Sequence, residues 1–168
     1  MEQRMRALVA GVGNMDRGDD ALGIEIARAV SRSAPDGVEV EEITGDLTDL
    51  LDLWAGMGLA VVVDAMRSSV PPGSIERVEL GTPGFSRRAG GFSTHGLSLP
   101  DTVALGKALQ KMPEVLILYG VEAESVEFGR SLSPSVAKAV PEAASLILHD
   151  LFSFGIPRGD AGMEDSDA

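Results

Sequence analysis

The 168-residue sequence has no cysteine, few aromatic residues, only two histidines and no long uninterrupted hydrophobic segment. The absence of cysteine excludes disulfide bonds and any metal site that is built on thiolates. Because aromatic residues make up only 4% of the chain, its core has to be mainly aliphatic. No stretch is long enough to span a membrane. The apolar run near the N-terminus is short and broken by glycines, which is not typical of a signal peptide.

Basic residues are also scarce, with 14 Lys and Arg against 26 Asp and Glu, giving a formal net charge of -12. This excess of negative charge argues against nonspecific binding to nucleic acid and against binding to anionic membranes. It is compatible with a metal ion or a basic protein partner. Hydrophobic residues make up 44% of the chain, which is ample for a core, and the length fits one domain. We expect a single domain over residues 1–154 and a flexible acidic tail over residues 155–168.

The most informative stretch is residues 7–30. It begins with a short apolar run that predicts a buried strand, followed by GVGN, whose glycines allow a sharp turn or the close approach of a ligand. Asp19 and Asp20 come next, at the start of a predicted amphipathic helix that either carboxylate could cap. A dinucleotide-binding fingerprint is excluded because Asp16 stands where the third glycine is needed, and a P-loop is excluded because no Gly-Lys-Ser/Thr follows.

The remaining chain alternates between strand-like and helix-like segments. Apolar or alternating runs predict five strands, at residues 7–10, 38–43, 59–63, 74–80 and 115–121. Helical spacing predicts helices at residues 22–30, 47–54, 98–109 and 133–152, the last two with Ser98 and Ser133 as N-caps and the last one broken at Pro141. The connection before strand 74–80 is too short for a crossover helix, which predicts an antiparallel edge strand. The expected fold is an α/β three-layer sandwich, in which a mixed, mostly parallel twisted sheet of about five strands has helices on both faces.

Three polar side chains are predicted to lie at the carboxyl edge of this sheet, where open α/β sheets bind ligands. Asp20 follows the first strand, Asp64 ends the most apolar strand, and His95 precedes a helix. Two carboxylates and one imidazole suit a divalent ion with open positions, and they equally suit an acid–base pair that activates water. Structural roles are also open: Asp19 could cap a helix and leave Asp20 solvated, Asp64 could bind backbone amides, and His95 could be incidental. The other histidine, His149, is predicted to be a structural or surface residue.

Four motifs, spread in order from about Leu8 to Leu151, resemble those of the hydrogenase maturation endopeptidases. They are GVGN followed by DRGDDALG, VVVDA after a strand, the STHGLSL loop, and YGVEAESVEFGRSLSP before the last helix. Each motif alone would be weak, but the four together are specific. The resemblance implies an α/β sandwich fold, in agreement with the segments above. It also implies an endopeptidase that removes a C-terminal peptide from the large subunit of nickel-iron hydrogenase once nickel has been inserted.

The resemblance implies the site residues as well. The metal-contacting acids of the family fall on Asp20 and Asp64, and its histidine falls on His95, so these three residues would be both catalytic and metal-contacting. Ala21 departs from the family pattern, because many members carry glycine there, but the departure leaves the three ligands in place. The nickel would be supplied by the substrate and held by the substrate's cysteines, so the protein needs no thiolates and no tightly held metal of its own. Nickel could polarise the scissile carbonyl, or it could only position this group while Asp20 or Asp64 activates water.

The implied partner is the nickel-iron hydrogenase large-subunit precursor, with no nucleic acid and no membrane, and the protein is expected to be a cytoplasmic monomer. The acids after the last strand, Glu122, Glu124 and Glu127, are predicted to lie in a solvated loop, and the irregular segment 81–93 is the first candidate for contact with the partner. Two alternatives remain open. One is a metal-dependent hydrolase of small substrates, which would bind its metal tightly without a partner. The other is a non-catalytic α/β binding module whose acidic loop merely caps a helix.

Overall fold

The computed structural model describes residues 4–83, 85 and 97–158, and this part of the chain forms a five-stranded sheet. The strands are β1 (Ala7–Val12), β2 (Val38–Ile43), β3 (Leu59–Met66), β4 (Ile75–Glu79) and β5 (Val115–Glu122). Their order in the sheet is β2-β1-β3-β5-β4. The helices are α1 (Leu22–Ser31), α2 (Asp49–Trp54), α3 (Leu99–Leu109) and α4 (Pro134–Ser153), and a 3₁₀ turn at Gly18–Ala21 precedes α1.

The sheet is mixed and mostly parallel. β1 runs parallel to both β2 and β3, and β3 runs parallel to β5. Only eight residues, 67–74, connect β3 to β4, and they include Pro71 and Pro72, so they cannot form the crossover that a parallel strand needs. β4 accordingly pairs with β5 in the antiparallel sense at the edge of the sheet. The predicted antiparallel edge strand is therefore confirmed.

Helices cover both faces of the sheet and complete the predicted three-layer sandwich. On one face, α1 and α4 bury an aliphatic cluster that includes Ile26, Ile147 and Val61. On the other face, α2 and α3 enclose a second cluster, which includes Trp54 and Val62. Because successive side chains of a strand point to opposite faces, β3 contributes alternate residues to the two clusters and is buried along its whole length.

The two predicted caps differ in the structure. Ser98 is the N-cap of α3, where its hydroxyl oxygen accepts the Asp101 N–H at 3.2 Å and donates to the Asp101 carboxylate at 2.6 Å, as predicted. Ser133 occupies the N-cap position of α4, but its side chain does not cap the helix. Its hydroxyl donates instead to Asp19, at 2.8 Å. A tertiary hydrogen bond has thus replaced the local one that the sequence suggested.

The prediction that Pro141 breaks the last helix is wrong, because α4 is continuous from Pro134 to Ser153 with Pro141 inside it. Proline lacks the N–H that would bond to the carbonyl four residues earlier, here that of Ala137. Both Pro141 and Ala137 are exposed, so water can hydrate this carbonyl. Buried residues before and after the proline, including Val136 and Ile147, hold both halves of α4 on the sheet.

Packing continues past the end of α4. Ile156 is 1% exposed and its N–H donates to the Leu151 carbonyl at 3.0 Å, so this residue belongs to the core although it falls in the predicted tail. Residues 159–168 lie outside the described residues, and the flexible tail stays a prediction. Among the residues that the structure describes, no helix is both long and apolar enough to cross a bilayer.

Candidate active site

The carboxyl ends of β1 and β3 lie side by side, since Gly11 in β1 pairs with Val63 in β3. Asp64 directly follows Val63, and the loop that carries Asp20 directly follows β1. The start of α1 packs against both strands: a Cβ on Gly23 would overlap the carbonyl oxygens of Val12 and Val63. Only glycine permits this approach, and it holds the segment after Asp20 against the strand that carries Asp64.

Asp20 lies in the 3₁₀ turn and is 2% exposed. Its N–H donates to the Arg17 carbonyl at 3.0 Å, and its own carbonyl accepts the Asn14 N–H at 3.1 Å. A Cβ on Gly13 would overlap the Asp20 carbonyl oxygen, so the second glycine of GVGN is what allows this turn to close over the end of β1. The idea that Asp20 is a solvated first-turn acid is therefore wrong, because the residue is buried at the edge of the sheet.

Asp64 is also 2% exposed, and its Oδ1 accepts the Ala65 N–H at 2.7 Å. The sequence predicted that the strand ends at Asp64. The structure extends β3 to Met66, because Asp64 and the two following residues pair with β5, ending with Met66 opposite Glu122. By the alternation of β3, Asp64 shares the face of Val62, which is the face covered by α2 and α3.

His95, the third predicted residue, lies outside the described residues, so its place at the site stays a prediction. The element that follows it is α3, whose N-cap Ser98 comes three residues later. Leu99 and Val103 of α3 pack on the face of the sheet that Asp64 shares. The other histidine, His149, is exposed on α4, as predicted.

Asp19 has a role that the sequence analysis missed. It is fully buried, and its carboxylate accepts the main-chain N–H groups of Glu124 (2.8 Å), Ser125 (2.9 Å) and Ser133 (2.7 Å), together with the Ser133 hydroxyl. Neither it nor Asp20 caps α1, whose N-cap is Ala21 and has no side-chain hydrogen bond. Asp19 instead fixes the loop between β5 and α4 beside the candidate site.

The pKa of Asp19 reflects this environment. Burial by itself raises the pKa of the carboxyl, but the hydrogen bonds from Ser125, Ser133 and Glu124 favour the ionised form and bring the pKa below its ordinary value. Asp19 is therefore a carboxylate at neutral pH. It adds a fixed negative charge next to Asp20 in the sequence.

Glu122 is a second buried carboxylate that the sequence did not identify. It was expected in a solvated loop with Glu124 and Glu127, which are indeed exposed, but Glu122 is 5% exposed and ends β5. Its oxygens accept the N–H groups of Ser68 (3.0 Å) and Ser69 (3.2 Å) and the Ser68 hydroxyl (2.9 Å). This carboxylate fixes the turn that follows β3 and Asp64.

The described residues supply only part of the donor set that a divalent cation would need at this site. Over residues 4–83, 85 and 97–158, no three His, Cys, Asp or Glu side chains lie close enough to hold a metal ion. The predicted set needs His95, which is outside these ranges. What the structure does bring together at one edge of the sheet is Asp20 and Asp64, two buried oxygen donors of the kind that divalent ions accept.

Comparison with known sequences identifies the family of the chain. The family model for hydrogenase maturation proteases matches residues 24–150 of the chain. The hydrogenase 2 maturation protease of Escherichia coli is 31% identical over 157 residues, covering 90% of this chain and 94% of that protein. The hydrogenase expression/formation protein HupD of Thiocapsa roseopersicina is 30% identical over 152 residues, covering 89% of this chain and 69% of that protein.

Solved structures give the same result for the fold. The hydrogenase maturating endopeptidase HybD from Escherichia coli aligns with a TM-score of 0.76 and 29% identity, covering 92% of this chain and 98% of that chain. The solution structure of an endopeptidase from Escherichia coli aligns with a TM-score of 0.79 and 30% identity, covering 94% and 100%. The sheet and its helical layers are therefore those of known endopeptidases.

Proposed function

This chain belongs to the hydrogenase maturation protease family and is an endopeptidase, and we propose that it removes a C-terminal peptide from the nickel-loaded large-subunit precursor of a nickel-iron hydrogenase. The observation that carries the proposal is the position of Asp20 and Asp64. Both residues are 2% exposed: Asp64 lies two residues before the carboxyl end of β3 and Asp20 lies in the turn after β1, near the edge at which α/β sheets bind ligands. The resemblance to the four family motifs implies that these two acids and His95 match the metal-contacting acids and the histidine of the family.

In this proposal, Asp20, Asp64 and His95 supply two oxygens and one nitrogen to the nickel that the precursor carries. Carboxylate and imidazole groups are suitable ligands for the open positions of a divalent transition metal. The chain has no cysteine, so it has no thiolates of its own with which to remove the nickel from the precursor. A site of this kind would engage a loaded precursor more strongly than an empty one, and would therefore sense whether the metal has been inserted.

Hydrolysis of the peptide bond needs a base for the attacking water and an acid for the leaving amine. In the proposed step, Asp20 or Asp64 accepts a proton from water as the water oxygen bonds to the scissile carbonyl carbon. The carbon–nitrogen bond then breaks, and the same proton passes to the departing amino group.

The proposal also includes a cytoplasmic monomer that holds no metal of its own and binds neither nucleic acid nor membrane. The lack of cysteine is compatible with a reducing cytosol, and the net charge of -12 argues against binding to nucleic acid or to anionic membranes. Metal analysis of the dialysed protein tests whether it holds a metal of its own, because a metal-dependent hydrolase of small substrates would retain its metal. The observations on the described residues favour neither that alternative nor a non-catalytic binding module.

The deciding experiment incubates the protein with nickel-loaded and nickel-free large-subunit precursor from the same organism and weighs the products by mass spectrometry. We expect a C-terminal peptide to be lost from the loaded precursor alone. Asp20→Asn, Asp64→Asn and His95→Ala should each lower the cleavage rate at least about 100-fold, because each removes a proposed nickel ligand and the loss of an acid–base group alone has an effect of this size. Glu142→Gln, which changes an exposed acid on α4, is the control and should cleave normally.

The possible results separate the parts of the proposal. Full cleavage by all three site variants would contradict the assignment of these residues. Equal cleavage of both precursors would leave the peptidase activity in place and remove the nickel check. If neither precursor is cleaved although both bind, the proposed substrate is wrong.

A further inference from the structure

We propose that Arg17 and Phe128 form a docking patch that binds the polypeptide of the precursor next to the catalytic edge. This inference rests on the proposed function and names the surface that the partner uses. Phe128 is 73% exposed, more than any other large hydrophobic side chain among the described residues, where the next is Leu109 at 52%. The Arg17 guanidinium carbon lies 5.0 Å from the centre of the Phe128 ring.

The docking patch is built on two loops that are tied together. The Gly129 N–H donates to the Asp16 carbonyl at 2.9 Å, and the Asp19 N–H donates to the Ser125 carbonyl at 2.8 Å. The buried Asp19 carboxylate adds its bonds to the main chain of the second loop. Phe128 therefore lies between two points that are fixed to the loop of Arg17. Its exposure is the result of a defined backbone path, so the main chain of the patch needs little ordering before a partner binds.

The patch lies directly beside the candidate site. The Arg17 carbonyl accepts the Asp20 N–H at 3.0 Å, so Arg17 and Asp20 belong to the same turn. A polypeptide that reaches Asp20 from solution has to pass close to this turn. A side chain of the precursor that contacts Phe128 would therefore bind only a short distance from the segment that is to be cleaved.

Arg17 gives the patch a hydrogen-bonding requirement. Its Nε is buried and has no hydrogen-bond partner among the described residues. In the neighbouring loop, the Arg130 guanidinium is paired with Glu127 at 2.6 Å. A buried N–H without an acceptor is destabilising, and such groups are rare unless an unseen partner completes them. The unpaired donor next to an exposed aromatic ring suits a surface that is completed by another molecule, and Arg and aromatic residues are the types that dominate the energetics of protein interfaces.

The charges around the docking patch restrict the kind of hydrogen-bond acceptor that Arg17 can bind. The chain carries a net charge of -12, and Asp16, Glu124 and Glu127 lie in the same two loops, so an acidic partner segment would be repelled. A main-chain carbonyl is a neutral acceptor and avoids this repulsion. We therefore assign to the patch an extended segment of the precursor that packs an apolar side chain on Phe128 and offers a carbonyl oxygen to Arg17 Nε, which the Arg17 side chain has to turn outward to expose. The sequence had pointed to residues 81–93 for this contact, most of which lie outside the described residues.

The test measures binding and cleavage in parallel, with the nickel-loaded precursor as the probe. Phe128→Ala should raise the Kd for the precursor, and with it KM, about tenfold or more, as expected for an exposed aromatic at the centre of an interface. Its kcat and its thermal unfolding midpoint should stay at the wild-type values, because Phe128 is exposed and touches no reacting group. The matched control is Leu109→Ala, which removes the next most exposed hydrophobic side chain, at the end of α3, and should leave Kd unchanged.

Two further variants test the role of Arg17. Arg17→Lys keeps the positive charge but removes the Nε donor, so it should weaken binding, whereas Arg130→Ala, which removes a guanidinium already paired with Glu127, should not. A Kd for Phe128→Ala within twofold of the wild-type value would overturn the inference. So would a change from dimer to monomer in this variant, measured by light scattering, because the patch would then be a contact between copies of the chain.

Failure of the docking patch can be distinguished from failure of the proposed function. If the wild type binds the precursor with a Kd that depends on Phe128 but cleaves nothing, the docking patch stands and the proposed reaction fails. If the wild type cleaves the loaded precursor and Phe128→Ala binds it equally well, the reaction stands and the docking patch fails. Absence of any binding by the wild type contradicts both.

Discussion

Two buried carboxylates of this protein are stabilised in different ways. Asp150 on α4 accepts the Arg77 Nε–H at 2.9 Å and the Tyr119 hydroxyl, so a guanidinium offsets its charge. Asp19, beside the candidate site, accepts three main-chain N–H groups and the Ser133 hydroxyl. The first arrangement joins a helix to two strands, since Arg77 lies in β4 and Tyr119 in β5. The second joins two loops.

The difference follows from what each carboxylate has to hold. A long guanidinium side chain can adjust to small shifts of the helix that it binds, so Asp150 fastens α4 without fixing any backbone path. Main-chain amides allow no such adjustment, so Asp19 determines the conformation of the loop at residues 124–133. Loss of Asp150 contacts should therefore affect the stability of the whole domain, and loss of Asp19 contacts should in addition change the region around the candidate site.

The largest expected effect is that of Asp19→Ala, which should lower the free energy of unfolding by about 3 kcal/mol, because several buried donors lose their acceptor together. Urea unfolding measures this loss. Hydrogen exchange should accelerate at the amides of Glu124, Ser125 and Ser133, and Asp36→Ala, which removes an exposed acid in a turn, serves as the control. Unchanged exchange at these three amides would show that Asp19 does not hold the loop.

A smaller effect is expected for Tyr119→Phe, which should cost about 1 kcal/mol, because one hydrogen bond to Asp150 is lost while Arg77 still pairs with that carboxylate. Urea unfolding again gives the value. Exchange of the amides in residues 124–133 should remain as in the wild type, in contrast to Asp19→Ala. Faster exchange there would mean that the two carboxylates act on the same part of the molecule, and the comparison would fail.

The smallest expected effect concerns how the free energy of unfolding depends on pH. Because the pKa of Asp19 is lower in the folded protein than its ordinary value of 3.8, its contribution to stability is complete above that pH and is lost as the pH falls through the folded pKa. Asp19→Asn should therefore show a smaller decrease in the free energy of unfolding than the wild type when the pH is lowered from about 4. Urea unfolding at a series of pH values tests this. Asp36→Asn should follow the wild type, and an unchanged slope in Asp19→Asn would contradict the prediction.

Local signals in the sequence predicted the fold well. The Ser98 cap and its partner Asp101 are three residues apart, so their pattern is visible in the sequence alone. Pro71 and Pro72 lie in a connection whose length excludes a crossover, and the antiparallel edge strand followed from that. The predicted sandwich and its mostly parallel sheet could be read in the same way, from runs of apolar residues and the segments between them.

The candidate site could be predicted only in part, because its supporting contacts join distant residues. Asp19 was interpreted as a helix cap, but its partners lie 105 to 114 residues later in the chain. Glu122 was expected in solvent, and the two serines that it binds lie 53 and 54 residues earlier. The failure at Pro141 has the same origin, since packing of α4 against the sheet overrides the local preference of proline.

The hydrogen bonds between Asp19 and residues more than 100 positions later have a consequence for translation of the chain. A ribosome releases the chain from its N-terminus, so β1 and the turn that carries Asp20 emerge long before Ser133, whose N–H and hydroxyl bind Asp19. Until then the carboxylate of Asp19 lacks two of the four donors that hold it in the finished protein, and the other two, at Glu124 and Ser125, precede Ser133 by only a few residues. The surroundings of the candidate site are thus completed late in translation. A nascent chain that is stopped before residue 133 would carry Asp20 and Asp64 without the support that holds their surroundings, and should be inactive.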